Sequence, residues 1–151
     1  MTKALEVKNE ILINGTPSQV WDALTSPEKT KVYMFGCKTV SDWRVGSPLL
    51  WQMIHEGKDF VPVKGIILVI EPNKVLKYTV IDPHASYPDI PANYLNVTYQ
   101  LTEQGAKTLL TVIQDGFEGA AEGEKRYKDV YNNGDGWNPI LVQIKKLVEE
   151  N

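Results

Sequence analysis

Apolar and polar positions alternate through most of this chain. In 93–102, Leu95, Val97, Tyr99 and Leu101 fall on one face of an extended strand, and Asn96, Thr98 and Gln100 on the other. The same period predicts a short edge strand over 38–43 and a strand over 47–56 with Trp51, Met53 and His55 on one face. A return strand over 60–71 follows, then 75–81 with Leu76, Tyr78 and Val80 together, and finally 108–117. Gly57-Lys58-Asp59, Pro72-Asn73 and Glu103-Gln104-Gly105-Ala106 are turn sequences short enough to join antiparallel neighbours. Residues 3–14 alternate as a first strand, closed by Asn14-Gly15.

The period becomes helical in three places. Thr16 can cap a helix begun by Pro17, with Gln19 placed to complete a capping box and Val20, Trp21 and Leu24 as its buried side. Ser26-Pro27-Glu28 repeats the signal and predicts a second short helix over 27–33. Near the end, Trp137, Ile140, Leu141, Ile144, Leu147 and Val148 recur every three or four residues over 135–150, a stripe roughly 120° wide. Such a helix is roughly 22 Å long and needs a sheet to lie on. The reading is therefore α+β: a curved antiparallel sheet wrapped around a long C-terminal helix, with two short helices after the first strand. Asn132-Asn133-Gly134-Asp135-Gly136 and Pro139 should break or kink the helical region, leaving 122–131 as a segment that can act as a gate. The stretch 82–92 is long and carries three prolines, and both a lid and a rigid surface connection are open for it.

Composition narrows the function classes. With 151 residues and no linker or repeat, one domain over 1–151 is expected. A net charge of −3 argues against nucleic acid and against an anionic membrane surface, and Lys29, Lys31 and Lys38 read as a solvated patch. The single Cys37 fits a reducing compartment, the N-terminus lacks a signal-peptide core, and the longest apolar run, 66–70, is too short to span a bilayer. The expectation is a cytoplasmic monomer or homodimer with no membrane insertion.

Catalytic signatures are sparse. His55, His84 and Cys37 are not spaced as metal ligands, so no metal is expected. No G-x-S-x-G elbow or phosphate loop is present, and Cys37 reads as a small apolar residue near a strand start. Asp115, Glu118, Glu122 and Glu124 read as the solvated approach to the C-terminal helical region. The sheet's inner face carries more information. His55 falls in phase with Trp51 and Met53, and Gln114 with Leu110 and Val112. Polar groups buried there need partners, water or a ligand, and a mostly apolar cavity with a few polar groups is the usual small-molecule site.

The order of elements, with Pro17-Ser18-Gln19-Val20-Trp21-Asp22-Ala23-Leu24-Thr25-Ser26-Pro27-Glu28, Gly65-Ile66-Ile67, Ile70-Glu71-Pro72, Val97-Thr98-Tyr99-Gln100-Leu101, Thr108-Leu109-Leu110-Thr111-Val112, Gly116-Phe117 and Gly136-Trp137, resembles the helix-grip fold of the START-like (SRPBCC) superfamily. Within it, the chain resembles the family named after the C-terminal domain of the activator of the heat-shock-protein ATPase. The resemblance implies a cavity between sheet and helix and no obligatory cofactor. It comes from a superfamily of lipid and sterol carriers, hormone receptors and polyketide cyclases. The eukaryotic activator's separate N-terminal domain has no expected counterpart here.

The resulting expectation is binding of a hydrophobic or amphipathic small molecule by Trp51, Met53, His55, Tyr78, Tyr99, Val112, Gln114, Trp137, Leu141 and Ile144. Two alternatives stay open. One is a cyclase or hydrolase using the same cavity with His55 as acid–base; the other is a co-regulator that contacts a chaperone partner through its surface.

Overall fold

The computed structural model describes residues 5–150. Alternation becomes seven strands: β1 (Val7–Ile13), β2 (Lys38–Ser41), β3 (Pro48–His55), β4 (Lys58–Glu71), β5 (Val75–Val80), β6 (Leu95–Gln104) and β7 (Lys107–Asp115). They form one sheet in the order β1-β7-β6-β5-β4-β3-β2, antiparallel at every pairing. Register shifts between Trp51 and Met53 and between Ile67 and Val69 interrupt the ladders on both sides of β4. Irregularities of this kind bend a strand and increase its twist, and so help cup the sheet. At Gly65, β4 presses backbone to backbone on β5. A Cβ there would stand 1.5 Å from the Thr79 carbonyl oxygen, and the Ile66 N–H donates to Thr79 Oγ1 at 3.0 Å.

The helices are α1 (Pro17–Thr25), α2 (Pro27–Tyr33), α3 (Gly123–Tyr131) and α4 (Asn138–Glu149). The capping box forms as read: Thr16 Oγ1 accepts from the Gln19 N–H and Gln19 Oε1 from the Thr16 N–H. α4 packs against β1, α1 and α2, burying Leu141 and Ile144 completely. Polar ties hold it in register. The Trp137 N–H donates to Asn9 Oδ1 at 2.9 Å, Lys145 Nζ to the Leu12 carbonyl at 3.1 Å, and the Asn14 N–H to Glu149 Oε2 at 2.7 Å.

Some boundaries differ from the sequence reading. Part of the first strand's expected range, residues 3–4, lies outside the described residues, and the strand begins at Val7. The edge strand stops at Ser41, and Trp43 adopts φ 56°. The last strand stops at Asp115, where Gly116 turns the chain at φ 92°. The hairpin expected at 57–59 turns on Glu56-Gly57, both at positive φ. The break before α4 is where the sequence put it: Asn132, Asn133, Gly134 and Gly136 all have positive φ. Pro139 does not kink the helix, because it sits in the first turn, where its missing N–H has no partner to lose.

The stretch 82–92 is strapped down on both sides. His84 stacks on Phe60 at 4.7 Å and contacts the Val61 carbonyl through Nε2 at 3.1 Å, while Asp89 pairs with Lys64. Arg126 of α3 lies 4.5 Å over the Tyr87 ring and donates to the Asn93 carbonyl at 2.8 Å. Among the described residues, no helix is long and apolar enough to cross a membrane.

The backbone contact at Gly65 is directly testable. Gly65→Ala should lower the urea midpoint by an amount equal to about 3 kcal/mol, since neither backbone can yield without breaking the ladder. An unchanged midpoint would show that the close approach is absent.

Candidate functional site

Strands β3 to β7, the α2–β2 junction and the start of α4 line a partly open hollow of about 370 Å³. Its walls are Trp51 and Met53 from β3, Pro62 and Val63 from β4, Tyr78 and Val80 from β5, Val97 from β6 and Gln114 from β7. Met34, Phe35 and Cys37 contribute from the junction, and Trp137 from the N-cap of α4. The volume lies at the lower end of the range for small-molecule pockets.

Alternation explains why these side chains meet. Trp51, Tyr78, Tyr99 and Trp137 make a row of tilted or edge-on rings, with successive centroids 6.0, 6.1 and 6.0 Å apart. Trp51, Tyr78 and Trp137 line the hollow, while Tyr99 stands within the row but outside the lining. Burial pushes the Tyr78 and Tyr33 phenols well above the usual tyrosine range and the Cys37 thiol upward. Each therefore stays protonated at neutral pH. Tyr33 closes its own account by donating to the Ala23 carbonyl at 2.7 Å, whereas the buried Tyr99 hydroxyl has the Tyr78 hydroxyl near it but makes no well-formed hydrogen bond among the described residues.

Gln114 is the most constrained polar group on the wall. It is 6% exposed, and its Oε1 accepts from the Trp137 indole Nε1–H at 3.0 Å. An indole N–H can only donate, so the amide must turn its oxygen to Trp137 and its NH₂ away. That NH₂ makes no hydrogen bond among the described residues and is not sealed from solvent.

Five of the ten sequence-predicted residues therefore line the hollow: Trp51, Met53, Tyr78, Gln114 and Trp137. The other five lie elsewhere. Val112, Leu141 and Ile144 are fully buried in the packed half of the core, where α4 meets the sheet, and Tyr99 stands behind the wall. His55 is in phase with Trp51 and Met53 but occupies the last pair before the hairpin tip, opposite Lys58. No helix covers it there; its side chain is 60% exposed and its ring lies 5.4 Å from Phe60. Among the described residues, no imidazole and no carboxylate lines the hollow.

Sequence reasoning missed Met34, Phe35, Cys37, Pro62, Val63, Val80 and Val97 as wall residues. Val80 and Val97 were already in phase with chosen neighbours and could have been found. Phe35 could not: it is 81% exposed at the rim with φ 54°, a conformation a bulky residue seldom adopts. Among the described residues, no group of three or more His, Cys, Asp or Glu is placed to hold a metal.

The family model described as activator of Hsp90 ATPase homolog 1-like protein matches residues 14–149. The chain belongs to this family. Its helix-grip architecture is shared by ChR145 of Cytophaga hutchinsonii, which is 34% identical, with 99% of this chain and 97% of that one covered and a TM-score of 0.75. CalU16 of Micromonospora echinospora is 19% identical, with 98% and 68% covered and a TM-score of 0.69. DynU16, from the dynemicin biosynthetic locus, is 16% identical, with 97% and 48% covered and a TM-score of 0.72. The last two show the common fold. No curated protein matches the sequence.

The orphaned hydroxyl predicts an unusual stability change. Tyr99→Phe should stabilise the protein by about 1 kcal/mol in urea unfolding, because an unpaired buried hydroxyl costs about that much or more. Destabilisation by the same amount would mean the hydroxyl is bonded in solution.

Proposed function

We propose that this protein binds a hydrophobic or amphipathic small molecule in the hollow between the sheet and the start of α4. One observation carries the reading: the hollow of about 370 Å³ is walled by aromatic, aliphatic and sulfur side chains, with Gln114 as its single amide. Apolar walls with few polar groups are the common chemistry of small-molecule sites. Family membership supports the same reading through the shared cupped sheet.

Energetics set the scale. A ligand that buries about 400 Å² of apolar surface gains about 10 kcal/mol. After at least 4 kcal/mol for lost translation and rotation, dissociation constants of tens of micromolar follow. Phe35, exposed at the rim, is placed to cover a bound molecule. The enzyme alternative loses its acid–base candidate, since His55 lies outside the lining. The chaperone-partner alternative rests on the family's name alone.

Titration with the neutral fluorophore N-phenyl-1-naphthylamine tests the reading. The unaltered protein should bind it with a dissociation constant of tens of micromolar. Val63→Trp, which places an indole in the hollow, should weaken binding ten-fold or more while thermal unfolding stays cooperative. Equal binding by both proteins would place the fluorophore elsewhere and sink the proposal.

A further inference from the structure

The wall of the hollow is uncharged, and its best-fixed polar group points one way. Among the described residues, no Lys, Arg, His, Asp or Glu lines it. The Gln114 amide oxygen accepts from the Trp137 indole, which fixes the amide's orientation, and its NH₂ makes no hydrogen bond among the described residues. Gln114 is more than nine-tenths buried, and its NH₂ keeps a contact with solvent that a ligand in the hollow would replace. Tyr78 and Cys37 add protonated groups that can also donate, the thiol weakly.

From this, and resting on the reading of the hollow as a ligand site, we infer that the site selects uncharged apolar molecules bearing a carbonyl oxygen. That oxygen accepts a hydrogen bond from the Gln114 amide N–H. Trp137 is then a positioning residue, because its indole N–H forbids the flipped amide that would present an acceptor instead. The selectivity follows from what each ligand type would leave behind. A pure hydrocarbon would exclude water from the amide and leave its N–H groups unpaired. A carboxylate would find donors but no cation on the wall among the described residues, Arg126 lining only the neighbouring cleft that shares Val63 and Val80, and its desolvation would be poorly compensated. An ammonium group would face the positive ends of the donors with no carboxylate on the wall among the described residues, Asp129 lining only the adjoining cleft that shares Gln114 and Trp137. A site built around a hydrogen bond rejects analogues that lack the matching group far more strongly than one built on shape alone.

Three matched probes separate these cases: benzophenone, diphenylmethane and diphenylacetate, two phenyl rings on one carbon that differ in the group it carries. Dissociation constants at pH 7.5 can be read from the indole N–H cross-peaks of ¹⁵N-labelled full-length protein, which include Trp51 and Trp137 of the wall. Benzophenone should bind about ten-fold more tightly than diphenylmethane, with diphenylacetate weaker than benzophenone. In Gln114→Met the ratio of the first two should fall to about one. Equal binding of benzophenone and diphenylmethane by the unaltered protein would overturn this inference while leaving the hollow a ligand site. Tighter binding of diphenylacetate would overturn it too. Failure of all three to bind would remove both the inference and the reading beneath it. The comparison within unaltered protein decides the matter even if the variant fails to fold.

Discussion

Helix α4 has twelve residues and is therefore about 18 Å long, whereas β4 alone has fourteen residues and spans about 45 Å. A helix of that length cannot cover the inner face of a seven-stranded cupped sheet. It settles over β1 and against α1 and α2, where Leu110, Val112, Leu141 and Ile144 pack with no exposed surface. On β3, β4 and β5 the cover is partial: Leu49, Ile67 and Leu76 are fully buried, whereas the stretch around Met53, Val63 and Val80 is left to the hollow. The apolar trough that remains is flanked by the α2–β2 junction on one side and Trp137 on the other and stays partly open to solvent. The hollow is a consequence of mismatched lengths.

Such a space would collapse if its walls could move inward. Here they are large rings that brace one another in a row from Trp51 to Trp137, across three strands and onto the helix start. The row is anchored at its helical end twice, by the Trp137 backbone N–H on Asn9 and by its indole N–H on Gln114. Close-packed interiors transmit strain rather than flow around it, so anchoring one ring fixes its neighbours. The Tyr99 hydroxyl, left without a well-formed hydrogen bond inside the row, shows that ring placement took precedence over polar satisfaction there.

Much of the fold was legible. Capping signals at Thr16 and Ser26 located α1 and α2 to the residue, and period-two alternation placed the seven strands and gave the inward face of β3, β5, β6 and β7. The asparagine–glycine run before α4 marked the chain break. The site was less legible, because phase tells which face a residue occupies and not what covers it. His55 and Val112 were both read correctly as to face. One nevertheless runs past the cover at a hairpin tip, and the other lies under the tightest part of it. Phe35 and Cys37 enter the wall from a connecting segment whose path no periodicity describes.

The account stands on the hollow being real in solution. Xenon enters apolar cavities and leaves filled cores alone, so ¹⁵N spectra of the protein under xenon pressure test the point with no ligand assumed. The largest saturable shifts should fall on Trp51, Tyr78, Val97 and Trp137, with Leu141 and Ile144 little affected. Small, linear shifts scattered over the whole chain would show that the space between sheet and helix is closed.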